Sequence, residues 1–290
     1  MGGVTVAEVA YGVATSHTPS IGAAIDNDRE KEPYWAPLFE GYEAGRKWMA
    51  DAEPDVIILA YNDHASAFDL DLIPTFALGV ADHFPIADEG YGPRPIPAVE
   101  GHSELAWHLA ENLILDGFDM TICNNMPVDH GLTVPLSIMY GKPEKWPAKV
   151  IPLAVNVIQY PPPTGKRCWD LGKAIRRIVH DFDEDLKVAV FGTGGMSHQL
   201  QGERAGWVNT PFDKAFLDRL VDAPESLARI SHTELLSDAG SEGIELVMWL
   251  IMRGALGRSV REVHRHYHVP ASNTAAGLMI LESEEHSAFR

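Results

Sequence analysis

Four histidines in this 290-residue chain stand shortly after apolar, strand-like runs. They are His17 after EVAYGVAT (8–15), His64 after DVIILAY (55–61), His130 after FDMTICN (118–124) and His198 after LKVAVF (186–191). Two glutamates, Glu242 and Glu245, open a late helical pattern. Two neutral imidazoles and one carboxylate, leaving one face open, make the ligand set of non-haem Fe(II) sites that handle dioxygen. The same donors serve zinc hydrolases, so residue types alone admit oxidation and hydrolysis equally. A lone histidine at a strand end is more often structural than ligating. Four in one pattern shift that balance, yet spacing does not select which donors meet, nor Glu242 over Glu245.

Other motifs carry less. The turn in FGTGGMSHQL (191–200) has three glycines, Gly192, Gly194 and Gly195, but no following Gly-Lys-Ser/Thr and no G-x-G-x-x-G, so a phosphate cradle is a weak reading. Ser197 lacks a nucleophile elbow. His83, His102, His108, His180, His232 and His286 fall in loops or on helix faces and read as solvated. His264, His266 and His268 alternate around Arg265 and suit a surface strand as well as a site.

The elements that must position the histidines are legible around them. Strands are expected at 8–15, 55–61, 118–124, 149–156 and 186–191. The run at 55–61 is apolar throughout, as in a strand covered on both faces. Helices are expected at 36–50, 102–115, 166–181, 212–221 and 241–252 from their apolar spacing. Residues 26–34 and 201–211 read as polar loops, and YPPPTG (160–165) as a rigid one. The Pro-, Gly- and acid-rich stretch 81–100 is a long excursion of the kind that forms lids or partner surfaces. Alternating strands and helices mean an α/β fold. The expectation is a single domain over 1–290, a mostly parallel or mixed central sheet flanked by helices, and the active site at the strand ends.

Composition removes whole classes of partner. With 23 Lys and Arg against 41 Asp and Glu, the formal charge is −18, which opposes phosphate neutralisation on nucleic acid and docking on anionic lipid. Cys123 and Cys168 have no close spacing, so neither a disulfide framework nor a zinc knuckle is expected. The N-terminus carries no secretory pattern, and the longest apolar run, LVMWLIM (246–252), is too short to span a bilayer. A cytoplasmic protein is the expectation.

The motifs TSH (15–17), YNDHASAFD (61–69), ADEGYGPRPIP, VDHG (128–131), YPPPTGKRC, GTGGMSHQLQG, GSEGIELVMWLIMRGAL and HVPASNTA cover the chain from about residue 10 to 281. Together they resemble the class III extradiol ring-cleavage dioxygenases, in the branch of the protocatechuate 4,5-dioxygenase β subunit. The resemblance implies Fe(II) held by His17, His64 and Glu245. It implies His198 as the acid/base and His130 as a second active-site histidine. Asn62 would contact substrate or, with Asp63, orient the neighbouring imidazole, and Ser272 and Asn273 would contact substrate. The glycines of the 192–195 turn would let backbone approach the open face of the iron. The implied reaction opens protocatechuate at the 4,5 bond with O2 to 4-carboxy-2-hydroxymuconate semialdehyde, in aromatic-compound and lignin breakdown. Alternatives are a sister enzyme for gallate, 3-O-methylgallate or another catechol carboxylate, a non-enzymatic interaction protein of the same fold, and a zinc hydrolase. The implied partner is a small helical α subunit covering the site in an α2β2 assembly. No such segment is expected within this chain, and a homo-oligomer is the alternative.

Overall fold

A computed structural model describes residues 6–285. In chain order the elements are β1 (Glu8–Thr15), α1 (Pro19–Asp26), α2 (Ala36–Ala52), β2 (Val56–Tyr61), β3 (Phe76–Gly79), β4 (His83–Phe84), β5 (Val99–Glu100), α3 (Ser103–Leu115), β6 (Thr121–Cys123) and α4 (His130–Tyr140). There follow β7 (Lys149–Val155), α5 (Gly165–His180), β8 (Lys187–Thr193), α6 (Thr210–Asp222), α7 (Pro224–Leu227) and α8 (His232–Asp238). A 3-10 turn (Glu242–Glu245) then leads into α9 (Leu246–Ala255), β9 (Val260–Ala271) and β10 (Thr274–Ser283).

Eight strands form one mixed sheet in the order β6-β3-β7-β2-β8-β1-β10-β9. The central four, β7, β2, β8 and β1, run parallel, and β10 returns antiparallel beside β1. Burial on both faces accounts for the continuous apolar runs in the middle strands. Side chains alternate across a strand, so Val56, Ile58 and Ala60 enter the core shared with α3, α5 and α9. Ile57, Leu59 and Tyr61 enter the opposite core, under α1, α2 and α4. Val188 and Val190 on β8 divide from Ala189 and Phe191 in the same way. This is the expected single α/β domain with helices on both faces.

The 81–100 excursion carries only the two-stranded β4–β5 ribbon. The helix expected at 241–252 departs from expectation at its start, where the first turn is 3-10 and α geometry begins at Leu246. His130 is not a strand-end residue. It is the first residue of α4, after an N-cap in which Asp129 accepts from Gly131 N–H. Both cysteines are buried and free, and no helix among the described residues is long and apolar enough to cross a membrane.

Several histidines expected to be solvated are instead engaged. His102 is buried and caps α3, accepting from Leu105 N–H. His108 bonds the Ile178 carbonyl, His180 accepts from Val9 N–H, and His232 bonds the Pro163 carbonyl. Each meets a backbone group at a packed helix, strand or loop end, and the Ile178 carbonyl also accepts from Asp181 N–H. His83 is exposed as expected, and His286 lies outside the described residues.

Candidate metal centre and active site

The parallel strands β1, β8 and β2 are neighbours, and their carboxyl ends deliver the site. His17 follows β1 by two residues, Asn62 and His64 follow β2, and Thr193 ends β8. Hydrogen bonds fix each imidazole. His17 Nδ1 lies 3.0 Å from Thr193 Oγ1. That hydroxyl has carbonyls of Ala60 and Gly131 within 3.2 and 3.3 Å to receive its own proton. Nδ1 is therefore the donor, which leaves the His17 Nε2 lone pair free. His64 Nδ1 donates to Asp129 Oδ2 at 3.1 Å, and the same oxygen accepts from His64 backbone N–H at 2.6 Å. The His64 lone pair is thus on Nε2, where it accepts from the Asn62 amide. A carboxylate or hydroxyl behind the ring that fixes its tautomer is the usual support for a ligating histidine.

Glu245 sits at the junction of the 3-10 turn and α9, 3.4 Å from His17 Nε2 through Oε1. Its Oε2 accepts from Gly195 N–H at 2.6 Å. The Asn62 amide bridges the group, donating to His64 Nε2 at 2.9 Å and to Glu245 Oε1 at 3.4 Å. Its own Oδ1 is buried without a partner. Glu242, by contrast, turns away to accept from Leu200 N–H.

Electrostatics sharpen the picture. Burial holds His17 below its ordinary pKa, although the Glu245 carboxyl acts in the opposite sense. Burial also opposes the charge on Glu245, but His17, then His198 and His64, outweigh it and keep the carboxyl well below the usual range. At His64 burial pulls downward and the Asp129 carboxylate overcomes it, raising the pKa. Glu245 is thus an ionised carboxylate, 7% exposed, and among the described residues no Lys or Arg pairs with it. A buried charge of this kind needs a cation. Two imidazole lone pairs and one carboxylate oxygen suit a borderline divalent metal, so the donors fit the implied ion.

The histidines at the rim differ in kind. The rings of His64 and His130 lie 3.8 Å apart, and nitrogens of His17, His64 and His130 lie within 4.8 Å of one another. His130 is held by Glu89, which accepts from Nδ1 through Oε1 and from the backbone N–H through Oε2. Glu89, Asp129 and His130 also cluster, but these hydrogen bonds already occupy their oxygens. His198 Nδ1 donates to the Met196 carbonyl at 2.7 Å. A carbonyl only accepts, so Nε2 of His198 keeps a basic lone pair. The turn bearing it is anchored by Asp213, which accepts from the Ser197 backbone N–H at 2.8 Å and hydroxyl at 2.6 Å.

Two expectations change, for Asp63 and for the glycine turn. Asp63 does not orient His64. Its carboxylate closes the following loop by accepting from Ser66, Ala67 and Phe68 N–H, and Asp129 is the group behind the ring. The glycine turn makes room for Glu245. Gly194 has φ +134°, and a β-carbon there would meet the Glu245 β-carbon at 2.5 Å. Asn62 is 1% exposed and wedged between His64 and Glu245. Ser272 and Asn273 form the β9–β10 tip. Ser272 Oγ bonds Ser20 Oγ and its N–H meets Tyr34 OH. Asn273 is exposed, and the next residue, Thr274, pairs with His198 across a β-bridge. A cavity of about 250 Å3 lies against His64, with Phe68, Leu70, Ile73 and Ile158 on its apolar walls and Asn156 and Gln159 offering amides. Sequence reading passes over Asp129, Glu89, Thr193 and Asp213. Only the Asp-His order in VDHG hints at any of them.

Residues 11–278 match the family described as the catalytic LigB subunit of aromatic ring-opening dioxygenase, and the chain belongs to that family. It is 43% identical over 200 residues to gallate dioxygenase of Pseudomonas putida, a match covering 69% of this chain and 58% of that protein. It is 24% identical over 318 residues to a 2,3-dihydroxyphenylpropionate/2,3-dihydroxicinnamic acid 1,2-dioxygenase of Photorhabdus laumondii, covering 94% and 96%. In the gallate dioxygenase match the chain spans less than two thirds of its relative's length. The crystal structure of an uncharacterized Escherichia coli K12 protein shares the fold at 13% identity, with a TM-score of 0.55 over 94% of this chain and 99% of that one.

Proposed function

We propose that the chain is an Fe(II)-dependent extradiol dioxygenase that opens the ring of a carboxylated catechol, with gallate ahead of protocatechuate. The observation that carries it is the buried Glu245 carboxyl against His17 and beside His64, with no Lys or Arg paired to it among the described residues. The 43% identity to gallate dioxygenase favours gallate over the protocatechuate expected from the motifs.

His17 Nε2, His64 Nε2 and Glu245 would hold the iron. When bound, it supplies open positions for both catechol oxygens and dioxygen, and a path for electrons between them. The chain's own residues do the rest. Thr193 and Asp129 keep both imidazoles in the ligating tautomer. His198 Nε2 takes a proton from the catechol and returns one as the ring opens, work suited to imidazole near neutral pH. His130, locked by Glu89, offers a hydrogen bond on the neighbouring side. Ser272 and Asn273, on the tip next to Thr274, serve the substrate's carboxylate end, and Asn62 tethers the donors.

Anaerobic loading with Fe(II), followed by O2 uptake with gallate, protocatechuate and 2,3-dihydroxyphenylpropionate, tests this reading. Ring opening is expected, fastest with gallate. A protein that takes up no Fe(II), or that takes it up and opens none of the three, would return the chain to the non-enzymatic alternative. Sedimentation of the purified chain separates self-association from need of a covering α subunit.

A further inference from the structure

The far end of α9 carries an anomaly of charge. In a chain of net −18, one open cavity of about 660 Å3 is lined by five cations against three acids. It lies where α5, the α6–α7 junction and the end of α9 meet. Arg253 stands eight residues past Glu245, about 12 Å along the helix at 1.5 Å per residue, so this cavity is separate from the metal centre.

Its cations fall into two groups. Arg253 is 1% exposed and directs its guanidinium to the carbonyls of Leu220, Gly257 and Arg258, and the Glu285 carboxylate acts on its charge from beyond ion-pair distance. Arg176 bonds the Ala255 carbonyl and Ser283, and pairs with Glu285. Together they cover carbonyls at and just beyond the negative end of α9 and leave net positive charge behind the wall. The second group, Lys173, Arg229 and Arg258, is exposed at the rim, and none of the three side chains has an ion pair among the described residues. Asp222 and Glu225 stand on the same rim and do not neutralise the set. The Trp169 indole, with Arg253 5.9 Å from its centre, supplies an apolar wall.

We propose that this cavity binds a small, multiply charged oxyanion, a phosphate or a di- or tricarboxylate. Guanidinium groups meet such oxygens in bidentate pairs, and a lysine ammonium adds a point charge. The excess of five cations over three acids in the lining favours a ligand of more than one charge over chloride.

Calorimetric titration of the full chain at low ionic strength tests it, with inorganic phosphate in one arm, citrate in the other and chloride as the ionic-strength control. Saturable binding is expected in at least one arm. Binding of phosphate alone assigns a phosphate ligand, and binding of citrate alone assigns a polycarboxylate. The Lys173→Ala/Arg229→Ala variant removes two exposed side chains and should bind about tenfold more weakly, a loss of about 1.4 kcal/mol. The charge-matched Lys31→Ala/Lys47→Ala variant should bind as the parent does. No saturable binding in either arm, or equal binding by the Lys173/Arg229 variant and the parent, overturns the proposal.

Discussion

One oxygen of Asp129 accepts from two groups of His64, its backbone N–H at 2.6 Å and its ring Nδ1 at 3.1 Å. The other oxygen caps α4. A single buried carboxylate therefore sets the position of His64, three residues past β2, the tautomer of its imidazole and the start of the helix that carries His130. Asp129→Asn keeps the shape but loses the charge and can present an amide hydrogen to Nδ1. Metal affinity is expected to fall about 10–100-fold, read by competition with a chelator. Unchanged affinity would remove Asp129 from the site.

His17→Ala and Glu245→Ala should lose the metal. His198→Ala should keep it and lose about 10²–10⁴-fold in turnover, the range for a group that transfers a proton. Metal content by elemental analysis, beside O2 uptake, separates the two outcomes. Equal metal loss in all three variants would sink the division of roles.

Glu89→Gln leaves His130 in place with a weaker hold on its ring. Turnover should drop between roughly tenfold and 10²-fold, with metal content unchanged. An effect on metal content alone would make Glu89 a support of the ligands and not of His130.

Gly194→Ala would place a β-carbon 2.5 Å from that of Glu245, at a φ of +134°. The strain costs about 1–3 kcal/mol, and relief requires Glu245 to move. Denaturant unfolding should show the loss, and metal uptake should fall with it. A variant with native metal uptake would show that the turn is not what places the glutamate.

His266 packs against the Tyr42 ring, and burial, with His268 and His264 nearby, lowers its pKa to about 4 from 6.5. A depressed histidine is neutral when folded, so its contribution to stability is whole above pH 6.5 and is lost as pH falls toward 4. The melting temperature should therefore drop between pH 7 and pH 5, and less so in His266→Phe. Parallel curves for the two proteins would exclude His266 as the cause.

The sequence is most readable where one physical signal dominates. The two-faced burial of β2 and β8 and the amphipathic spacing of α3 and α5 announce themselves. α1 is short and begins at Pro19, inside what reads as a turn. α4 is buried almost throughout and contains Pro135, so it has no polar face to give a helical period. β10 is built largely from small and apolar residues beneath β9, and nothing local separates it from a helix. The site divides along the same line. The histidines follow visible strands, whereas Asp129, Glu89 and Thr193 matter through contacts spanning from 41 to 176 residues of chain. The choice of Glu245 over Glu242 depends on which way a 3-10 turn faces.

The proposed donors His17, His64 and Glu245 enter from the first strand, the second strand and the last helix but one turn, so no fragment of the chain holds all three. Metal uptake is then a checkpoint on assembly. An ion that binds only the finished arrangement stabilises it by mass action and ties together segments that are the ends of a very long loop in the unfolded chain. Partly folded protein should carry no iron, and the holo form should resist unfolding more as free Fe(II) rises.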